Sequence, residues 1–267
     1  MSKLRILYTA SEIAPFLATS TVADFVRALP QYMQERDMEI RILVPRFGLI
    51  NERKNRLHEV VRLSGMNITI GDNVKPLVIK VASIPNAKIQ VYFIDSDDYF
   101  KRKAVFYDKD NKFFEDNDAR AVFFCKGVLE TVKKLGWAPD IIHCHDWITS
   151  FIPVYLKTIY RNDPILKKAR VIFTLYNNSF AYNFGKDLIE KVKMTGLNQE
   201  KLVTLASADF GGFIQTGIKY ADLAVRSEVL QDTNFKGVLD EQDLTCIENN
   251  ATGLETYYNL YKQLARA

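Results

Sequence analysis

Five short runs rich in Ile, Leu and Val recur along the chain with helix-like patterns between them: RILYTA (5–10), IRILVP (40–45), DIIHCH (140–145), RVIFTL (170–175) and DLAVRS (222–227). Their apolar positions are continuous rather than alternating. Continuous runs mark strands covered on both faces, so the pattern predicts a doubly wound, mainly parallel α/β sheet. Long helices are expected over 21–36, 116–135, 147–161, 209–220 and 252–265. The helix at 116–135 opens on the acidic EDNDAR and closes on the basic KKLG, as the helix dipole favours.

Residues 67–95 break this rhythm. NITIGDN, VKPLVIKVAS and KIQVYFID are β-rich and separated by turn residues, Gly71, Asp72 and Asn73, then Pro85 and Asn86. They predict an antiparallel excursion inserted into the α/β core. In doubly wound sheets ligands bind beyond the carboxyl ends of the strands. That rule nominates Ser11–Asp24, Pro45–Gly48, His143–Trp147 and Tyr176–Phe180.

Composition narrows the function classes. The chain has 267 residues, 48% of them hydrophobic and 12% aromatic, ample for one large α/β core. Its 36 basic and 32 acidic residues give a formal charge of +4 that is spread along the sequence; clusters such as Lys101–Lys103 are short and soon diluted by acids. A nucleic-acid partner is not expected, because phosphate-backbone affinity needs a concentrated basic face. No run of 18 apolar residues and no leader-like N-terminus is present, so a cytoplasmic protein without a membrane partner is expected. Cys125, Cys144 and Cys246 are odd in number and far apart, which fits neither a disulfide framework nor a zinc site. No repeat or linker appears, and a single domain over 1–267 is expected.

The motifs SEIAPFL (11–17), ADFVRALP (23–30), RILVPRFG (41–48), WAPDIIHCHDW (137–147), PVYLK (153–157) and FTLYN (173–177) follow one another in a recognisable order. Over residues 3–225 the chain resembles the bacterial glycogen synthase and starch synthase family, whose members transfer glucose from a sugar nucleotide to an α-glucan. PDIIHCHDW is the most specific piece. The resemblance implies the GT-B architecture, two Rossmann-like domains facing across a cleft, and this chain resembles the first of them. The tail ATGLETYYNLYKQLARA places Leu254, Tyr257, Tyr258, Tyr261 and Leu264 on one helical face. It resembles the helix with which family enzymes cross back onto their first domain, so the expectation is a first domain joined nearly directly to a packing helix at 252–265, with the donor-binding domain missing. An unrelated terminal helix covering the sheet is the other reading.

The family's first loop reads Lys-Thr-Gly-Gly-Leu-Ala-Asp. Here Ala18, Thr19, Ser20 and Thr21 occupy its first four positions, followed by Val22, Ala23 and Asp24. The glycines let backbone approach the donor phosphates and the lysine adds a cation. Ser20 or Thr21 forced into a left-handed conformation would cost about 1–2 kcal/mol each. Losing a charge-assisted bond worth about 1.5–3 kcal/mol weakens donor binding about tenfold or more. Asp24 is retained; in the family this aspartate faces the acceptor glucan, and alone it is equally a helix-start carboxylate.

His143 and His145 share one face of a strand, but two histidines and a following Asp are a weak metal signal, and no metal is expected. Asp146 either accepts sugar hydroxyls or caps the next helix; Trp147 either stacks on a sugar or packs in the core. The family's His-Asn-x-x-Tyr-x-Gly, whose histidine contacts the transferred glucose, is here Tyr176, Asn177, Asn178, Ser179, Phe180, Ala181 and Tyr182. A phenol differs from imidazole in reach and geometry. A later family segment is altered after Ala221 and Asp222. Scaffold positions thus keep family-like residues while donor-facing positions change.

The resemblance therefore implies a glycogen synthase-like protein without glucosyltransferase activity or cofactor of its own, with no catalytic residue and with candidate glucan contacts at Asp24, Asp146, Trp147 and Asn177. Two alternatives stay open. One is an acceptor-side subunit completed by a separate donor-domain protein; the other is a self-associating structural protein that pairs as a homo-oligomer.

Overall fold

The computed structural model describes residues 3–85, 87–227 and 244–266. Among the described residues ten strands form one sheet: β1 (Arg5–Thr9), β2 (Glu39–Pro45), β3 (His58–Glu59), β4 (Met66–Ile70), β5 (Asn73–Ser83), β6 (Gln90–Asp95), β7 (Ile141–His145), β8 (Arg170–Leu175), β9 (Leu223–Arg226) and β10 (Thr245–Cys246). Their order is β10-β9-β8-β7-β1-β2-β6-β5-β3, with β4 paired to β5. From β10 to β6 every neighbouring pair is parallel. The five continuous apolar runs therefore all lie in the parallel part of the sheet, with both faces covered except along β9, where only Val225 of the strand is buried.

The antiparallel excursion is present with one correction. β4 and β5 are antiparallel to each other, and so are β5 and β6, but β6 also lies parallel against β2 and belongs to the main sheet. Its run Val91–Asp95 is buried throughout. That is the pattern of an interior strand, whereas β4 alternates at the margin.

Seven α-helices are seen among the described residues: α1 (Thr21–Gln34), α2 (Asp97–Phe100), α3 (Asn117–Leu135), α4 (Phe151–Lys157), α5 (Asp187–Val192), α6 (Phe210–Tyr220) and α7 (Ala251–Leu264). The helix expected over 147–161 is divided. Trp147–Thr149 forms a 3-10 turn, and α4 is a separate, shorter helix. α3 stops at Gly136, which takes the left-handed conformation (φ +63°) that its missing side chain permits.

β7 lies beside the central β1 and shows how the two faces are built. Its side chains alternate, so His143 and His145 meet Phe25 of α1 and Tyr257 and Tyr261 of α7, while Cys144 points to the α3 side. Tyr257 and Tyr261 are fully buried. The Tyr261 hydroxyl sits 2.6 Å from His143 Nδ1, His143 Nε2 sits 2.7 Å from Thr174 Oγ1, and Tyr257 reaches the same threonine at 3.2 Å. The polar tips of α7 thus meet partners inside the core instead of being buried alone.

Candidate functional site

The strand order turns at β1, with β2 on one side and β7 on the other, and the crevice at that turn is where a ligand fits. The chain leaving β1 carries Ser11 and Glu12, and the chain leaving β7 carries Asp146 and Trp147. These residues join Thr19, Ser20, Asn178, Ser179 and Phe180 around one cavity of about 220 Å³. Three of the four nominated strand ends therefore converge. The fourth goes elsewhere: Arg46 is buried in an ionic cluster with Asp95 at 2.8 Å and Glu52 at 3.3 Å.

Ser20 caps α1 from an extended conformation (φ −144°, ψ 172°), its hydroxyl accepting from Val22 N–H at 3.3 Å. The strain expected of a left-handed Ser20 is absent because the loop follows a different path. Three of its donors are committed inward. Thr19 donates its N–H at 2.6 Å and its hydroxyl at 2.9 Å to one oxygen of Glu12, and Ser20 donates its hydroxyl to the other. Glu12 is buried beneath the loop. An internal carboxylate thus takes three donors of this loop that an anion bound there would otherwise compete for.

Asp146 is buried at the opposite wall. Its Oδ1 accepts from Trp147 N–H at 2.6 Å and Asn178 Nδ2 at 2.5 Å. Burial pushes its carboxyl up to about 7; Glu12 adds to the rise, while bonds from Ser11, Asn178 and Trp147 oppose it. Its backbone lies at φ +76°, ψ 156°. That region is nearly exclusive to glycine and costs on the order of 1–3 kcal/mol, a strain that concentrates at binding and catalytic sites. The carboxylate caps the short helix and also lines the cavity, so both sequence readings apply.

Trp147 is 2% exposed and lies in a cluster of rings, 4.6 Å from Phe106 and 4.9 Å from Phe180 between centroids. Val105, Phe106, Tyr107 and Phe113 complete the apolar wall. This wall was not read from the sequence, although FYDKDNKFF, two aromatic pairs about a polar turn, is a hairpin signal that could have found it. Glu12 lies within the nominated Ser11–Asp24 but is not singled out by the sequence, because its partners are set by how the turn folds over it.

The remaining candidates separate. Asp24 is exposed and lines a different depression with Thr21, Phe25, Ala28, Ser227 and Asn249, between the first turns of α1 and α7. Asn177 is exposed, and it is its neighbour Asn178 that faces the cavity. Ala18 is exposed at the loop tip. Tyr176 is buried, its hydroxyl 2.7 Å from His145 Nδ1, so the side chain in the family histidine's place is committed to the core. Burial lowers His145 to about 3, and burial, with His145 beside it, holds His143 well below the usual imidazole range, so both imidazoles are neutral. Among the described residues no group of three His, Cys, Asp or Glu side chains is placed to hold a metal, and no helix is long and apolar enough to cross a membrane. The altered run after Asp222 lies outside the described residues from position 228 onward.

Comparison with known proteins identifies the family. The model of the starch synthase catalytic domain matches residues 5–230. A glycogen synthase of Chlorobium luteolum is 40% identical over 228 residues, covering 85% of this chain and 46% of that protein. The glycogen synthase of Chlorobium limicola is 36% identical over 263 residues, covering 94% and 53%. The chain thus spans about half the length of these relatives. Among solved structures, the catalytic domain of starch synthase IV from Arabidopsis thaliana, bound to ADP and acarbose, matches with a TM-score of 0.68 at 19% identity, over 98% of this chain and 50% of that one. That likeness shows the fold: a single α/β domain corresponding to half of a GT-B glycosyltransferase catalytic domain. With a matching model over most of its length and motifs in the same order, the chain belongs to the starch synthase catalytic domain family.

Proposed function

We propose that this chain is a glucan-binding member of the family that does not itself transfer glucose. The observation that carries the reading is the fate of the donor loop. The Thr19 N–H and the Thr19 and Ser20 hydroxyls are bound to Glu12, the loop's lysine position is Ala18, and among the described residues no cationic side chain lines the cavity. A sugar nucleotide's phosphates would meet the Glu12 and Asp146 carboxylates in a poorly solvated site, where like charges repel strongly. Tyr176 adds to the reading, because a ring held on His145 does not reach out to a transferred sugar.

What remains suits a polyhydroxyl ligand. Asp146 offers an acceptor, Asn178 and Ser11 offer bifunctional groups, and Trp147, Phe106 and Phe180 supply apolar faces. Few convergent polar groups on aromatic walls are the usual make-up of a small-molecule site. At about 220 Å³ the cavity is smaller than the roughly 300–1,000 Å³ of drug-sized pockets, so it accommodates a single sugar residue of a chain. Asp24, outside it, would meet the glucan only farther along.

Glycogen co-sedimentation of the wild type, Asp146→Ala and Asp24→Ala, beside turnover of ADP-glucose and UDP-glucose, tests the reading. The wild type is expected in the pellet without glucose incorporation, with Asp146→Ala losing most binding and Asp24→Ala less. A wild type that stays in the supernatant sinks the proposal.

A further inference from the structure

We propose that Arg120 of α3 is the positioning residue for the aromatic roof of the cavity, acting through the backbone carbonyls of Tyr99 and Val105 without touching a ligand. For its consequence on glucan affinity, the inference rests on the reading above.

The roof is a strap, residues 101–116, between α2 and α3. Its outer part closes on itself. Tyr107 and Phe113 form an antiparallel bridge, Phe114 N–H donates to Phe106 O at 3.0 Å, and Asp108 Oδ1 accepts from the N–H groups of Asp110 and Lys112 at 2.9 Å each. It therefore moves as a unit, and its place over Trp147 depends on its base. Three features fix that base. Arg120 donates from Nε to Tyr99 O at 2.8 Å and from Nη1 to Val105 O and Asn117 Oδ1, both at 2.6 Å. Asn117 Nδ2 donates to Phe106 O at 2.9 Å. Gly48 lets the backbone beyond β2 approach so closely that a Cβ there would lie 2.2 Å from Lys101 O and 2.5 Å from Arg102 O.

Arg120 is an expensive way to fill this space. It is fully buried, and its three hydrogen bonds go to two carbonyls and an amide oxygen, none to a carboxylate. Phe47, Phe100, Phe106 and Phe114 surround the guanidinium with ring centroids 5.1–5.9 Å away. Cation–π contact offsets part of the desolvation. Apolar residues of similar volume often replace buried charges without loss of stability. What they cannot supply is a rigid planar fork holding two carbonyls six residues apart at fixed positions. Those carbonyls flank the strap's entry, and the second belongs to a residue of the cavity wall.

The test is acrylamide quenching of Trp147 in full-length protein carrying Trp137→Phe, which leaves Trp147 as the sole tryptophan. Arg120→Met and Arg120→Lys are expected to raise quenching several-fold while far-UV dichroism is retained, and to weaken maltoheptaose binding about tenfold or more. A purely structural role would lower the unfolding midpoint and leave Trp147 shielded in the folded population. If the Arg120 variants do not fold, Gly48→Ala, which displaces the strap's base with Arg120 intact, should raise quenching alone. Unchanged quenching in the folded variants overturns the proposal. A rise in quenching where even the parent fails to bind maltoheptaose supports the positioning role and refutes the glucan reading.

Discussion

Removing one buried hydroxyl, in Tyr261→Phe, should cost far more than its single oxygen suggests. The hydroxyl lies 2.6 Å from His143 Nδ1, and both groups are fully buried. His143 is held neutral by burial, and its other nitrogen is already committed to Thr174 at 2.7 Å. The variant loses a hydrogen bond and leaves Nδ1 without a partner where water does not reach. An unsatisfied buried polar group costs about 1–3 kcal/mol, against about 1 for the mean net bond, so a loss near ~2 kcal/mol is expected. Urea unfolding should show a lower midpoint with an unchanged slope. Tyr258→Phe is the control on the same helix: its hydroxyl meets only Lys262 at 3.5 Å near the surface, and the change should cost under ~0.5 kcal/mol. If Tyr261→Phe costs no more than Tyr258→Phe, the polar network does not fasten α7 to the sheet.

Other predictions concern pH and packing. Asp146, raised to about 7, accepts sugar hydroxyls best when ionised, so glucan affinity should fall roughly tenfold from pH 8 to pH 6, as its ionised fraction does, and Asp146→Asn should flatten that profile. For stability the signs differ between groups. His143 and His145 stay neutral in the fold, so below ~6.5 the unfolded chain binds protons the native state refuses, and stability falls by up to ~1.4 kcal/mol per pH unit for each. Asp146 holds its proton in the fold between the ordinary carboxyl value of 3.8 and about 7, opposing that fall; chemical denaturation should therefore find Asp146→Asn steeper on acidification by up to ~1.4 kcal/mol per unit. Gly217→Ala would set a methyl 2.7 Å from the Phe173 ring between α6 and β8, and calorimetry should show about 1–3 kcal/mol of overpacking.

The parallel sheet was legible because a strand buried on both faces has little choice of residue. Ile6–Tyr8, Ile42–Val44 and Val171–Phe173 are all covered, and their apolar runs announce them. β6 reads the same way, yet its neighbours' turn residues grouped it with the hairpin. The cavity was half legible. Strand ends nominated Ser11, Asp146 and Trp147 because topology alone brings them together. The nominated stretches held Glu12 and Asn178 too, but side chains whose partners depend on a turn's path could not be singled out within them: Glu12 under Thr19 and Ser20, or Asn178 facing inward while Asn177 faces out. Asp24 follows Thr21 by less than one helical turn and shares its depression, while the cavity takes only Thr19 and Ser20 from this loop.

The claim that this half of the family fold has exchanged donor contacts for internal ones is tested most directly by glucose transfer from a chimera. Residues 5–226 would replace the corresponding half of the Chlorobium luteolum glycogen synthase, leaving the remainder of that protein intact. Incorporation of labelled glucose from ADP-glucose into glycogen is the readout. The account predicts a folded chimera that sediments with glycogen and incorporates no label. Incorporation at the rate of the unmodified relative would contradict it.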